Sequence, residues 1–507
     1  MPIASTLHQP TLAGGEVSPS LFGRVDLARY QNSLRTCRNA FVKPEGGVSK
    51  RAGTRFIAET KFHDQVCRLI EFQFSTEQNF ILEFGDRYMR IIGRDGLVRE
   101  ADKSVSALAV VGGALTVDVE SEHGFSVDDH LYLSGLRGAG ELQQRTFRIA
   151  SINGDQITLV LTSGQELPGE VTPYVSGGAL SRIYEIETPY LTAELFQIKL
   201  TQSADVLYLA HPNHPPHELS RFGDTNWTLA PINFGTQLEP PQIRSVTWSG
   251  GTPDGLTEER YVITAFNAVE NDESRASAER SVNRNAIFTQ GETIRLTWTA
   301  VPGATDYNIY KELSGVFGYI ATVSASDTVE EPLYTYDLGE LGGVVTGPTE
   351  TRVIFEDDNI TPNTADAPPE ARNPFADENH PGTVAFFQDR LAWAGSHKDP
   401  QTVWLSQTSN YDNHFVSNPP APNDAIEFTI NARQVNRVEH MLALRDLVLM
   451  TSSTIWSASG QGEQTPIQPA SIFVRPQNYH GVETVEPVII GDSALFVDSD
   501  TGVTFTY

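Results

Sequence analysis

The 507-residue sequence predicts an all-β chain, and three observations predict it. Apolar residues recur with a period of two along most of the length, turn signals interrupt them at short intervals, and helical periodicity is scarce. Forty glycines and 30 prolines supply the turns, and a hydrophobic content of 39 % is enough for folded cores. At ~100–200 residues per domain, the length asks for about three or four domains rather than one.

The alternation is clearest at residues 68–74 (RLIEFQF), 80–84, 88–92, 116–119 and 156–161. Each run places apolar side chains on one face of a half-buried strand. Between them stand Gly85-Asp86, Arg94-Asp95-Gly96, Asn153-Gly154-Asp155 and Ser163-Gly164, residue pairs that reverse a chain readily. Only residues 191–200 (LTAELFQIKL) and 25–32 carry a helical period, each about two or three turns long.

Composition divides the chain into an Arg-rich head with strands (1–105), a Gly-punctuated block of short strands (106–178) and a further strand segment (179–238). Leu238-Glu239-Pro240-Pro241 opens a fourth block (239–347), and strands return in the last (348–507) after a loose stretch at 361–374 with four prolines. Within the fourth block, residues 261–266 (YVITAF), Glu273-Ser274, 294–298 (IRLTW), Pro302-Gly303-Ala304 and 307–310 (YNIY) resemble a fibronectin type III sandwich. Trp298, Tyr307 and Ile309 would fill its core, each worth ~1.5–3 kcal/mol of burial. Such a module speaks for fold and is silent on function.

Thirty-six basic against 64 acidic residues give a formal net charge of −28, the reverse of a free-standing nucleic-acid binder. The excess is segregated: residues 1–100 carry 14 Lys and Arg against 11 Asp and Glu, about +3, leaving −31 for the remainder. The two ends of this distribution ask for different partners. Cys37 and Cys67, the only cysteines, fit a reducing compartment and supply no zinc spacing. No apolar run approaches the ~20 residues of a membrane span, and the first ten residues lack the pattern of a secretory leader.

The head reads Gly14-Gly15-Glu16-Val17-Ser18-Pro19, then Gly23-Arg24-Val25-Asp26, Tyr30, Asn39, and Pro44-Glu45-Gly46-Gly47-Val48 to Lys50-Arg51-Ala52-Gly53-Thr54. This order resembles the opening of the tail nozzle proteins (tail tubular protein B) of short-tailed bacteriophages. Two further stretches are similar to that family. One runs from Thr188-Pro189-Tyr190 through residues 202–208 to His211-Pro212 and Trp227. The other joins residues 386–395 (FFQDRLAWAG) to Val403-Trp404-Leu405-Ser406, Asp424-Ala425-Ile426 and Ile455-Trp456. Residues 106–178, with Glu122-His123-Gly124-Phe125 and residues 129–133, resemble a small β-barrel insert of the same proteins.

The resemblance implies a β-propeller-like core interrupted by the barrel and the sandwich. It also implies a ring, a hexamer, at the tail tip. Its partners would be an adaptor ring above, tail fibres or spikes nearby, duplex DNA in passage and the host outer surface, with the virion tail as its location. Runs such as 206–209, 391–394, 403–406, 447–451 and 494–497 suit the short amphipathic strands of four-stranded blades. Chains of this family continue past a strand like 503–507, so this chain is expected to be a naturally short member or to have its last blade completed by a strand from the head.

Candidate chemistry is sparse. His211, His214 and His217 (HPNHPPH) would share one edge of a polyproline-like stretch and could hold a transition metal, whereas proline-flanked loop histidines are ordinarily solvated or capping groups. Glu356-Asp357-Asp358 and Glu330-Glu331 lack the glycine-pivoted spacing of a calcium loop. No nucleophile elbow, phosphate loop or H-E-x-x-H occurs, so no catalytic residue and no cofactor is expected. In the head, Gly15, Arg24, Tyr30, Arg38, Asn39, Gly46, Gly47, Arg51 and Gly53 are candidates for subunit or adaptor contacts, the arginines for bidentate pairing with a neighbour's carboxylates. The leading expectation is a conduit whose acidic lining lets DNA slide, gated by loops such as 361–374. The competing ones are a receptor- or glycan-binding tail surface protein and, further off, a propeller glycosidase.

Overall fold

The computed structural model describes residues 9–507 except 76–78, 112, 121, 163–165, 169, 236–237, 252–256, 270–271, 333–334, 338–343, 370–372, 418–419, 432–434, 463–464, 492, 503 and 507. The chain is all-β and divides into two compact units, Met1–Glu59 and Thr60–Tyr507. The turn expected at Ser163-Gly164 lies outside the described residues.

The second unit is built on five antiparallel meanders, called here blades one to five. Blade one holds Arg68–Gln73, Asn79–Gly85, Tyr88–Gly93 and, after a long insertion, Glu185–Glu187. Blade two holds Lys199–Ser203, Val206–His211, His214–Gly223 and Asn226–Pro231. Blade three holds Thr383–Phe387, Arg390–Ala394, Thr402–Leu405 and Ile426–Thr429, and blade four Val438–Ala443, Leu447–Thr451, Ile455–Ser459 and Phe473–Asn478. Blade five has three strands, Val488–Ile490, Ser493–Val497 and Thr504–Thr506.

Period-two geometry explains how the blades stack. Leu207 and Leu209 join Phe72, Leu82 and Trp227 in the core between blades one and two. Their alternate neighbours Tyr208 and Ala210 turn the other way, to Leu391, Trp393 and Trp404 of blade three. Ala392 and Ala394 then meet Leu447 and Leu449 of blade four, while Val448 and Met450 meet Ala494 and Phe496 of blade five. A strand buried on both faces carries apolar residues at almost every position, which is why LAWA and LVLM read as continuous runs, while the buried Arg390 donates to the carbonyls of Ser406, Pro422 and Asp424. The amphipathic pattern expected of them is therefore replaced by double burial.

Two insertions interrupt the blades. Between the third and fourth strands of blade one, Lys103–Val111, Ala114–Val119, His130–Arg137, Arg145–Asn153, Gln156–Leu161 and Ser176–Arg182 close into a barrel. Its first and last strands extend a few residues beyond the block read at 106–178. Between blades two and three sits a sandwich whose sheets enclose Tyr261, Ile263, Leu296, Trp298, Tyr307 and Ile309. Thr349–Asp357 pairs with Ile294–Thr299 and with Thr328–Pro332. The sandwich therefore runs past residue 347, because this strand follows the Gly-rich run at which composition placed the boundary.

The helix expected over 191–200 is not formed. A 3-10 turn covers Leu195–Gln197, and Lys199–Ser203 is already the first strand of blade two, registered against Val206–Ala210. Pairing with a neighbouring strand outweighs the modest helix preference of this short segment. At 25–32 the helix is one turn, Ala28–Gln31.

Candidate functional site

Three places gather polar chemistry, and the head is the first. Gly15 takes φ +69° and its carbonyl accepts from Leu34 N–H at 2.7 Å, which draws the 12–15 turn against 32–34. Gly46, at φ +95°, closes the hairpin of Ala40–Val42 and Val48–Lys50, and the Lys43 N–H donates to Gly47 O at 2.8 Å. A Cβ on Gly46 would stand 2.0 Å from Thr11 Oγ1, so only glycine fits. Asn39 is left-handed at φ 55° and its carbonyl receives the Arg51 N–H at 2.9 Å. Tyr30 Oη accepts from Gly23 N–H at 3.2 Å, and Arg24 pairs with Asp26 at 2.6 Å. Arg38, Arg51 and Gly53 are exposed.

These bonds shape the head without giving it an interior. No described residue from 9 to 59 is buried. Phe22, Val25, Phe41, Val48, Phe56 and Ile57 are all exposed, Phe56 to 74 %. Arg24, expected to meet a neighbour's carboxylate, already has Asp26 as a partner within its own chain.

The histidines form the second place. His211 and His214 are opposite one another across the tight turn between the second and third strands of blade two, and His217 pairs with Leu209 in the same hairpin. They belong to a β-hairpin, not to a polyproline turn, since strand pairing recruits the flanking residues. One ligand atom each from Glu194, His211 and His214 lies within 4.8 Å of the others. His217 instead sets Nδ1 2.6 Å from Pro215 O, its ring 6.0 Å from that of Tyr190.

Hydrogen bonding decides what this group can do. Glu194 accepts from His214 Nε2 at 2.9 Å, Asn213 Nδ2 at 3.2 Å and Leu191 N–H at 3.0 Å. Burial opposes ionisation of Glu194, but the bonds from Leu191, His214 and Asn213 hold its carboxyl down to about 2. His211 accepts the Asn213 N–H on Nδ1 at 3.1 Å. The neutral ring then carries its proton on Nε2 and offers no lone pair there to a metal. Burial, aided by His214, lowers His211 to about 4. The arrangement is a clamp that ties the 191–197 loop to the hairpin. Glu194 escaped the sequence reading because 17 residues separate it from His211, and only the hairpin brings them together.

The third place is the approach to blade five. Lys199 Nζ of blade two donates to Thr484 O at 2.7 Å, and Arg68 of blade one pairs with Glu486 at 3.4 Å. His440 Nε2 of blade four is 2.9 Å from Glu483 O. Residues 483–486 thus tie three blades together. Burial lowers the Lys199 ammonium to about 8 and raises the Glu439 carboxyl nearby.

The acidic pairs have structural duties. Asp357 is fully buried, accepting from Tyr261 Oη at 2.7 Å and pairing with Lys311 at 3.0 Å. Glu331 pairs with Arg295 at 3.1 Å and Arg352 at 2.9 Å. Between blades three and four a hollow of about 600 Å³ is lined by Gln388, Asn423, Arg445, Asp446 and Gln468 among others. Phe473, half exposed, and Arg475 stand beside Arg445 at its continuation.

No family model and no curated protein matches the chain. Among solved structures it is similar to an endosialidase of phage phi92, at 12 % identity and a TM-score of 0.14, over 85 % of this chain and 74 % of that one. A likeness of that size defines neither the fold nor an activity. Among the described residues, no helix is long and apolar enough to cross a membrane.

Proposed function

We propose that this chain is the structural, non-catalytic subunit of a phage tail nozzle, assembling as a ring that lines and gates a channel for DNA ejection. The carrying observation is the head: a segment with ordered turns and a hairpin that buries no side chain and exposes a run of large apolar groups. Exposed apolar surface of this kind marks a docking element. The head motifs and the blade stretches that resemble the nozzle family supply the rest of the reading, including the hexameric order, the adaptor ring, and fibres or spikes nearby.

In this reading the conduit lies between copies; within one copy, residues 483–486 tie blades one, two and four to the approach of blade five. An acidic wall suits a passage that duplex DNA must traverse without sticking, because phosphate-neutralising walls bind with strong salt dependence. Negative-stain imaging of the recombinant chain tests the reading. Rings with an open lumen support it, and monomers at every concentration defeat it; a basic lumen removes the repulsive wall. Loop gating is tested by the same images, because a lumen open before host contact leaves the loops at 361–374 nothing to gate.

A second reading, a glycan-binding tail surface protein, is favoured by the hollow between blades three and four. Amides, Arg445 and an aromatic face at Phe473 are groups that bind acidic sugars. Retention of acidic glycans that Arg445→Ala abolishes would support it.

A further inference from the structure

The first strand of each blade is a sheet edge, paired on one side among the described residues. That of blade five stands apart because none of its residues is even partly buried, whereas each of the other four first strands buries at least one. Val488, Ile489 and Ile490 in that strand are 57 %, 49 % and 60 % exposed. Ala494 and Phe496 of the next strand bury one face of the sheet against blade four. An open apolar strand edge is a template for pairing with another chain, and folded proteins ordinarily cover or charge such edges.

The charge around this edge is one-sided. Residues 481–507 contain five Asp and Glu and no Lys or Arg, whereas residues 1–59 contain eight Lys and Arg against four Asp and Glu. The head also carries a short hairpin, Ala40–Val42 with Val48–Lys50, whose outer edges are unpaired among the described residues. Phe41 and Val48 are exposed on it, 62 % and 41 %. The hairpin and the blade edge complement each other in strand geometry, in apolar surface and in charge.

We propose that the head hairpin of one copy adds to the Val488–Ile490 edge of blade five in a second copy, by strand addition with basic side chains facing the acidic 481–507 segment. The occupant is a second copy because bodies of like acidic charge repel, and the head is the basic segment this chain has to set against them. The proposal rests on the ring reading above and specifies the joint that builds the ring.

The test mixes unlabelled and 15N-labelled full-length chains and applies a zero-length carbodiimide cross-linker. Lys43 and Lys50 are expected to join Glu483, Glu486 or Asp500 in mixed-isotope pairs. Cross-links confined to one isotope, or falling elsewhere on the body, overturn the proposal. As a second measurement, the variant Ile489→Pro blocks ladder pairing on an exposed strand. It is expected to weaken self-association at least tenfold with an unchanged melting temperature, and undiminished association overturns the joint. The two readings fail separately. Rings without these cross-links sink the strand addition and leave the nozzle, whereas mixed-isotope cross-links in particles that never close sink the nozzle and leave the joint.

Discussion

The head and the barrel are made of the same materials and reach opposite ends. Both are short strands joined by turns with left-handed residues, Gly15 and Gly46 in one, Gly113 and Gly154 in the other. The barrel closes on itself, and Leu115, Leu131, Phe147, Ile149, Ile157 and Leu159 are fully buried inside it. The head closes nothing. Turn chemistry sets local path in each, and the difference is whether enough alternating strands follow one another to enclose a core. A segment with turns but no enclosure has its local hydrogen bonds, and no packed core, to keep its shape.

The contrast is broken most forcefully in the barrel. Phe147→Ala removes a fully buried ring and should cost ~3–5 kcal/mol, read as a fall in the denaturant midpoint of the barrel transition. Deleting residues 1–59 should move that transition hardly at all and abolish self-association. A comparable loss from the deletion would show that the head has an interior after all. In the sandwich, Lys311→Met leaves Asp357 buried beside a neutral side chain and should cost ~3–5 kcal/mol by the same measurement.

A smaller effect is electrostatic. Burial lowers His130 in the barrel to about 3, and His211 and His440 in the blades to about 4. In the unfolded chain these rings titrate near ~6.5. Below that pH the unfolded state takes up protons that the folded state refuses, so stability falls as pH drops from about 6.5 toward 4. Each such ring contributes up to ~1.4 kcal/mol per pH unit across that window. Melting temperatures at pH 7 and pH 5 should show the fall, and removing the head should not change it. A flat profile would place these rings in contact with water.

Much of the fold was legible because strand periodicity survives in sequence. Residues 156–161 alternate as the barrel requires, and the strand observed is Gln156–Leu161. Trp298, Tyr307 and Ile309 were read as sandwich core and are fully buried. Long-range pairing was not legible. Residues 191–200 carry helix formers, yet Lys199 is held as a strand residue opposite Ala210. The histidines were visible as a cluster, but the hairpin that opposes His211 to His214 and the Glu194 that clamps them depend on contacts no local spacing encodes. The charge segregation was legible too, and the absence of burial in the head was not, because exposure is a property of what a segment fails to enclose.

The smallest expected change in stability sharpens the comparison furthest. Gly46→Ala puts a Cβ against Thr11 Oγ1 at a position whose φ is +95°, so the hairpin turn must distort, at ~1–3 kcal/mol of local strain. In the barrel such strain would pass into a packed core and lower the melting temperature. In the head there is no core to receive it, so the body should melt within ~0.5 kcal/mol of the parent, as for a surface change. Self-association should nevertheless weaken, since the hairpin can no longer present its strand. Scanning calorimetry beside sedimentation equilibrium separates the two quantities. A melting shift equal to the loss in association would mean that the head's shape and the body's stability are one cooperative property, and the contrast between enclosed and docked segments would fail.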